Sequence, residues 1–145
     1  MTNAVHPRLV LSERHLVVLM GVAACAYPHE CCGLLIGEGD SEILVSDLRE
    51  SANMTENAST EFMIDPQIQF DALRSLRNAD RRVVGHYHSH PNGNPLPSDA
   101  DMKRADGEDV WVSIPVARGK AAMPRAFRFV ASKGTFSELP IVVEN

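Results

Sequence analysis

The hydrophobic positions near the start of the chain predict a strand followed by a helix. The stretch PRLVLS (7–12) has the composition of a short strand, and Ser12 is a residue type that caps helices well. Four apolar residues then recur at helical spacing, namely Leu16, Leu19, Met20 and Ala23. We expect this helix to stop near Pro28.

The next apolar runs predict a hairpin. The runs CGLLIGEGD (32–40) and SEILVSDL (41–48) are short and meet at glycines, which is typical of two antiparallel strands joined by a tight turn. The polar stretch RESANMTENAST (49–60) then predicts a loop, and EFMID (61–65) predicts a further short strand.

A second helix is predicted after Pro66, because proline suits the first turn of a helix. It would cover QIQFDALRSLRNAD (67–80) and present one apolar face made of Phe70, Leu73 and Leu76.

The second half of the chain consists mainly of predicted strands. RRVVGHYH (81–88) is rich in β-branched and aromatic residues, PNGNPLP (91–97) is a loop, and a short helix should begin at Ser98. Three closing strands are expected within 109–117, 124–131 and 134–143. The pattern predicts an α/β or α+β protein with a mixed sheet and two or three helices, in a single domain covering residues 1–145.

Composition and charge narrow the classes of partner. The chain has 145 residues, 44% of them hydrophobic, and a formal charge of −5 with scattered Lys and Arg, so we expect a real core and no nucleic-acid partner. The apolar stretch 16–27 is too short to span a bilayer, and the polar residues 1–9 lack the features of a secretory signal. We therefore expect a cytoplasmic protein with no membrane partner.

The three cysteines, Cys25, Cys31 and Cys32, do not predict disulfides or a zinc site of their own. Their number is odd, two are adjacent, and no C-x-x-C spacing occurs. We expect reduced, buried thiols, and nothing local marks Cys31 or Cys32 as a low-pKa nucleophile.

The stretch HYHSHPNGNPLPSDAD (86–101) is a candidate metal site. His88 and His90 lie two residues apart on the predicted strand, so their side chains point to the same side with about 6.6 Å between their Cα atoms. The loop that follows can fold back and bring Asp101 close to them. Two histidines and one carboxylate leave a fourth tetrahedral position open for water, which is typical of a catalytic zinc site. Such a zinc lowers the pKa of the bound water and polarises a carbonyl.

Other interpretations of the same residues stay open. Ser98 and Asp101 match the S-x-x-D capping box of a helix, a role that is partly compatible with metal binding. His86 is in register with His88, so an all-histidine site is conceivable, although the outer pair of histidines would be spread widely. Two histidines and a carboxylate also suit a non-haem iron enzyme.

HSHP, the seven-residue gap and SDAD together resemble the JAMM motif of the MPN+ metalloproteases. The stretch YPHECCGLLIG (27–37) is similar to the family's upstream segment, and the similarity extends through FMIDP, VVGHYHSHP and RAFRF. The resemblance implies the cytidine-deaminase-like JAMM/MPN fold and one Zn²⁺ per chain. It implies five site residues: the zinc ligands His88, His90 and Asp101, the general base Glu30 on the zinc-bound water, and the oxyanion donor Ser98. Without that motif, Glu30 would be taken for an ordinary solvated residue in a turn.

The resemblance also implies a substrate. Only MKRADGEDV (102–110) separates Asp101 from the next strand, as in the small stand-alone prokaryotic branch of the family. That branch implies hydrolysis of a peptide or isopeptide bond after the C-terminal Gly-Gly of a ubiquitin-like, sulfur-carrier protein. A non-catalytic MPN scaffold or binding module is the further alternative, and the oligomeric state, including a homodimer, stays open.

Overall fold

One mixed β-sheet with three helices makes up the part of the chain that the computed structural model describes, residues 6–105, 107 and 109–145. The helices are α1 (Glu13–Ala26), α2 (Pro66–Ser75) and α3 (Asp99–Arg104). The strands are β1 (Arg8–Ser12), β2 (Cys32–Glu38), β3 (Glu42–Ser51), β4 (Arg82–His90), β5 (Val110–Ala117), β6 (Lys120–Ala121), β7 (Arg125–Val130), β8 (Thr135–Leu139) and β9 (Ile141–Glu144). The predicted class, a mixed sheet with two or three helices, is confirmed.

The strands lie in the order β8-β7-β5-β4-β2-β3-β1-β9, and β6 pairs with β5. The pairs β1–β3, β1–β9 and β4–β5 are parallel, and the others are antiparallel. Only Pro140 separates β8 from β9 in sequence, although these strands occupy opposite ends of the order. The sheet therefore curls until its two edges come close together.

The two faces of the sheet carry separate hydrophobic clusters, because successive residues of a strand point to opposite sides. Leu35 of β2 packs in one cluster with Leu19 of α1, whereas its neighbour Leu34 packs in the other with Ala72 of α2. The central strand β2 is buried on both faces, which is why its sequence is almost continuously apolar.

The predicted N-terminal strand and helix and the following hairpin are confirmed. The Ser12 hydroxyl accepts a hydrogen bond from the N–H of His15 at 3.0 Å and so caps α1, and β2 and β3 pair antiparallel. Strand β3 continues to Ser51, however, so the first residues predicted as loop belong to the sheet.

The prediction for α2 is wrong in its length and in its buried face. The helix ends at Ser75, and Asn78 shortly afterwards has a φ of 65°, which helices do not accommodate. Of the three residues predicted for the apolar face, Leu76 is buried, but Phe70 and Leu73 are 55% and 66% exposed, because the side facing the sheet is the one that carries the small residue Ala72.

The strand predicted over 61–65 is also wrong, since only an isolated bridge joins Asn53 and Ile64. The Asn53 side chain itself binds the carbonyl of Glu61 and the N–H of Met63, so these groups are not available to a ladder. At the C-terminus the stretch 134–143 forms two strands, because Pro140 has no N–H and interrupts it, and β6 was not predicted.

None of the helices among the described residues is long and apolar enough to cross a membrane. All three cysteines are free; Cys31 and Cys32 are buried as predicted, but Cys25 is exposed, because it lies on the outer side of α1. Asp106 and Glu108, within the segment that was expected to be too short for an insertion, lie outside the described residues, as do residues 1–5.

Candidate metal centre and catalytic site

The site lies at the carboxyl end of β4, where the chain leaves the sheet and returns through α3. His88 and His90 end this strand, and the loop that follows leads to Ser98, the N-cap of α3. The Ser98 hydroxyl accepts from the N–H of Asp101 at 3.1 Å, while the N–H of Ser98 donates to Asp101 Oδ2 at 2.9 Å. The predicted capping box is therefore present, and it orients the Asp101 carboxylate at the start of the helix.

Three potential ligand atoms converge in this place. His88 Nε2 and His90 Nε2 are 2.9 Å apart, and Asp101 Oδ2 lies 3.3 and 3.1 Å from them. Ligand atoms at zinc-ligand distances on a tetrahedron are separated by about 3.3 Å. Three atoms that carry lone pairs meet in a buried position, so a shared positive charge is needed to hold them together. Two imidazole nitrogens and a carboxylate oxygen are ligands that fit a metal ion such as zinc.

A backbone carbonyl fixes the orientation of His90. The Nδ1–H of this ring donates to the carbonyl oxygen of Asn94 at 2.7 Å, which leaves Nε2 with its lone pair directed at the site. Ser113 lies beside the same nitrogen at 3.4 Å and donates its hydroxyl to the carbonyl of Pro95 at 2.7 Å. The loop 91–97 is therefore tied to the histidine that it follows.

Aromatic packing holds the other histidine. The His88 ring is 1% exposed and stacks on Phe62, with ring centroids 4.3 Å apart and planes inclined by 13°. Trp111 approaches the same ring edge-on at 5.9 Å. Burial lowers the pKa of His88 in spite of its bonds to Asp101, so the neutral ring that a metal requires is favoured. Its Nδ1 has no hydrogen-bond partner among the described residues.

Asp101 is held as an anion. Its burial, at 4% exposure, opposes ionisation, but the adjacent His88 and His90 rings and the hydrogen bond from the Ser98 N–H outweigh that effect. The pKa of Asp101 is therefore well below its usual range. The pKa of His90, which burial alone would lower, is raised by the bonds to Asp101 and Asn94.

Glu30 approaches the histidine pair from a different part of the chain. Each of Glu30, His88 and His90 offers one potential ligand atom, and these three atoms lie within 4.8 Å of one another. Glu30 is 5% exposed, and burial raises the pKa of its carboxyl group to about 7. Its Oε1 atom has no hydrogen-bond partner among the described residues. Two carboxyl groups with oppositely shifted pKa values thus flank one pair of histidines.

Glu30, His90 and Ser98 share the lining of a cleft of about 400 Å³, rimmed by residues of the 59–60 and 91–99 loops. The Ser98 hydroxyl uses one lone pair in the helix cap, and its own hydrogen has no acceptor within the part of the chain that the structure describes. It can therefore donate to a group bound in the cleft.

His86 and the buried cysteines lie apart from this arrangement. The His86 ring packs between Phe62 and Trp111, at 5.1 and 4.3 Å, and belongs to no cluster of ligand atoms found among the described residues. Burial raises the pKa of Cys31 to about 11 and that of Cys32 to about 12, which opposes a nucleophilic thiolate.

The structure thus brings together all five residues that the sequence singled out. It also adds residues that the sequence did not indicate, namely Asn53, Phe62, Asn94, Trp111 and Ser113. These residues act through a backbone carbonyl, through ring packing or through a polar side chain of a loop or of strand β5, and such roles leave no spacing pattern in a sequence.

The chain belongs to the Prok-JAB family, described as prokaryotic homologs of the JAB domain, whose profile matches residues 12–130. A protein of Pyrococcus furiosus named desampylase is 28% identical over 136 residues, which cover 94% of this chain and 91% of that protein. A desampylase of Haloferax volcanii is 33% identical over 78 residues, or 54% of this chain and 55% of that protein. A Thermus thermophilus protein named probable TtuB-protein conjugate cleaving protease is 32% identical over 78 residues, or 54% and 50%. The last two matches span about half the length of those relatives.

Solved structures agree with this fold. A protein from Desulfitobacterium hafniense aligns with a TM-score of 0.80 at 25% identity, covering 94% of this chain and 93% of that chain. A protein from Salinibacter ruber aligns with a TM-score of 0.70 at 24% identity, covering 95% and 92%, and shows the fold alone. The resemblance to the JAMM/MPN+ proteins and the α/β fold that it implied are confirmed.

Proposed function

We propose that this chain is a zinc-dependent protease that hydrolyses a peptide or isopeptide bond after the C-terminal Gly-Gly of a ubiquitin-like protein, of the sulfur-carrier kind. One observation carries the proposal: two buried carboxyl groups, Asp101 and Glu30, flank the same histidine pair with pKa values shifted in opposite directions. The lowered pKa of Asp101 suits a permanently charged metal ligand, and the raised pKa of Glu30 suits a group that exchanges protons near neutral pH.

His88, His90 and Asp101 would hold the metal. When bound, the metal supplies a Lewis acid that polarises the scissile carbonyl and makes a nearby water more acidic. The capping box and the Asn94 carbonyl keep Asp101 and His90 oriented before any ion arrives, so little reorganisation would accompany binding.

Glu30 would act as the general base. A carboxyl group with a pKa of about 7 takes a proton from the attacking water at neutral pH and returns it to the leaving amine, a role worth about 100- to 10,000-fold in rate. The Ser98 hydroxyl, on the same cleft, would donate a hydrogen bond to the oxygen that becomes negative in the transition state.

The relatives support the substrate. The Thermus protein is named a probable TtuB-protein conjugate cleaving protease, and the Pyrococcus and Haloferax relatives are named desampylases. An extended tail that ends in glycines would suit the narrow approach between Glu30 and the 91–97 loop, because glycine places no side chain there.

A non-haem iron enzyme is the second candidate, because two histidines and a carboxylate also suit iron. The buried Glu30 beside this set favours hydrolysis, since an iron triad has no need of a neighbouring base. Metal analysis of protein purified without added metal separates the two. A non-catalytic scaffold would make the histidines dispensable, and His88→Ala would then alter binding without abolishing any activity.

The decisive experiment is intact-mass analysis of ubiquitin-like proteins with C-terminal extensions after incubation with the protein. The wild type should trim them after Gly-Gly, whereas a chelated sample and Glu30→Gln should not, and Glu30→Gln should keep its metal. Glu56→Gln, a change at an exposed glutamate in the neighbouring loop, is the matched control and should trim normally. Full turnover by folded Glu30→Gln would contradict the mechanism, and a metal-loaded wild type that trims nothing would contradict the substrate.

A further inference from the structure

The Glu30 carboxylate is placed by its backbone. Glu30 precedes β2, which begins at Cys32, so it lies outside the ladders that hold the sheet together. Because Oε1 has no partner among the described residues, hydrogen bonds to that atom do not fix the side chain. The position of the general base therefore depends on whatever holds the main chain at this residue.

The loop 52–63 holds that main chain on both sides of Glu30. The N–H of Glu30 donates to the carbonyl of Ala58 at 2.7 Å, and the carbonyl of Glu30 accepts from Nδ2 of Asn53 at 3.1 Å. Both polar groups of the Glu30 backbone are thus satisfied by one loop.

The carboxamide of Asn53 uses its full hydrogen-bonding capacity. Nδ2 donates to the carbonyls of Glu30 and Glu61, at 3.1 and 2.9 Å. Oδ1 accepts from the N–H groups of Met63 and Thr55, at 2.9 and 3.3 Å. An amide has two donor hydrogens and two acceptor lone pairs, so every one of them is used here. Aspartate lacks the donors, and glutamine has an additional methylene group, so neither can reproduce the set.

We propose that Asn53 is a positioning residue that holds Glu30 in register with the metal-binding histidines. This inference rests on the proposed function, because it assigns Asn53 a role only through Glu30. Asn53 acts directly on the Glu30 carbonyl. Its bonds to Thr55 and Glu61, on either side of Ala58, also hold the loop that provides the Ala58 carbonyl.

A second tether explains why the effect should be confined to catalysis. The N–H of Cys31 donates to Ser89 Oγ at 2.8 Å, and the N–H of Ser89 donates to the carbonyl of Cys31 at 3.2 Å. Ser89 lies between the two histidines on β4, so this pair keeps the start of β2 against the metal-binding strand. Loss of Asn53 would therefore loosen the hold of the 52–63 loop on Glu30, whereas the Cys31–Ser89 pair would keep the start of β2 against β4 and leave the histidines in place.

The test compares Asn53→Ala and the isosteric Asn53→Asp with Asn57→Ala. Asn57 is an exposed asparagine of the same loop, and among the described residues only its backbone, not its side chain, is seen to form hydrogen bonds. Both Asn53 variants should lower kcat by about 10- to 100-fold, because a displacement of about 1 Å at a catalytic group has effects of that order. KM and the zinc-to-protein ratio should not change, and Asn57→Ala should behave as wild type.

A double-variant cycle shows whether the effect passes through Glu30. In the Glu30→Gln background, Asn53→Ala should cause no further loss of the residual rate, since residues that act as a unit are not additive. An additional full loss in that background would overturn the proposal. Unchanged kcat in Asn53→Ala, or a fall in zinc content that accounts for the lost rate, would overturn it as well.

Amide hydrogen exchange separates a failure of this inference from a failure of the proposed function. Asn53→Ala should speed exchange of the Glu30 amide by tenfold or more, and Asn57→Ala should not. This measurement needs no substrate. If the wild type cleaves nothing but the Glu30 amide responds in this way, the protease assignment fails and the tether stands; an unresponsive amide refutes the tether itself.

Discussion

His90 and Asp101 are eleven positions apart in the sequence, yet Nε2 of the histidine lies 3.1 Å from Oδ2 of the aspartate. The return of the chain depends on short-range bonds: the His90 ring donates to the Asn94 carbonyl, and the Ser98 N–H donates to the Asp101 carboxylate. The donor set is therefore built within one strand–loop–helix unit, whereas Glu30 has to be brought in by the sheet.

The first prediction concerns metal content. His88→Ala and Asp101→Ala should each lose the bound metal, because each removes one of three converging ligand atoms. His86→Ala should retain about one metal per chain, because its ring packs between aromatic side chains away from the cluster. Elemental analysis of the purified variants gives the ratio. Since His86→Ala leaves a cavity, His86→Leu is the better-filled second variant, and metal loss in both would favour the all-histidine site.

The second prediction separates two roles of Ser98. Ser98→Gly and Ser98→Ala both remove the hydroxyl, so both should lower kcat by about 100- to 1,000-fold. Only the alanine variant should also lose about 1 kcal/mol of stability, because glycine is tolerated at an N-cap far better than alanine is. Ser98→Thr retains a hydroxyl and is the control. Denaturant unfolding and steady-state kinetics check the two effects, and equal kcat in all three variants would exclude a catalytic hydroxyl.

The strand and helix that carry the metal site could be predicted from sequence because they obey local rules. The strand containing His88 is rich in β-branched and aromatic residues, and Ser98 and Asp101 form a helix cap whose three-residue spacing can be recognised in the sequence. Glu30 could be assigned only by resemblance, because its neighbours on the metal side are 58 or more positions away. The pairing of β2 with β4 creates that proximity, as the register Cys32↔His88 shows.

The failures of sequence reasoning also have physical causes. Hydrophobic spacing predicts that Phe70 and Leu73 lie on the buried face of α2. The helix instead packs on the sheet through the small residue Ala72, and the two larger side chains remain exposed. The stretch around Met63 has the composition of a strand, yet the Asn53 carboxamide binds its backbone groups. Neither outcome follows from hydrophobic periodicity, because both depend on tertiary contacts.

The third prediction concerns metal removal. Zinc at about 100 times its Kd should stabilise the folded chain by about 2.7 kcal/mol, since the ligands converge only in the folded state. For a protein of this size that corresponds to a rise in Tm of about 5–10 °C. His88→Ala should show no such rise, and His86→Leu should show all of it. Thermal unfolding of metal-free samples with and without added zinc checks this, and an equal shift in His88→Ala would place the ion elsewhere.

The last prediction uses the raised pKa of Glu30. In the metal-free protein this pKa is about 7, compared with 4.5 for an ordinary glutamate, because burial disfavours the charged form. The folded state therefore binds a proton more tightly than the unfolded state does, and the stability that results is complete below pH 4.5 and is lost as the pH rises through 7. A pKa shift from 4.5 to about 7 corresponds to at most about 3.4 kcal/mol.

Glu30→Gln removes the ionisable carboxyl group, and with it the cost of burying a charged carboxylate at high pH. Metal-free Glu30→Gln and wild type should have similar free energies of unfolding near pH 4.5, and the variant should become the more stable of the two by pH 8. The difference between them isolates Glu30, because the two proteins share every other titratable group. Urea unfolding at a series of pH values gives the difference directly. A difference that does not vary with pH would mean that Glu30 is not shifted, and its assignment as a base poised near neutrality would have to be abandoned.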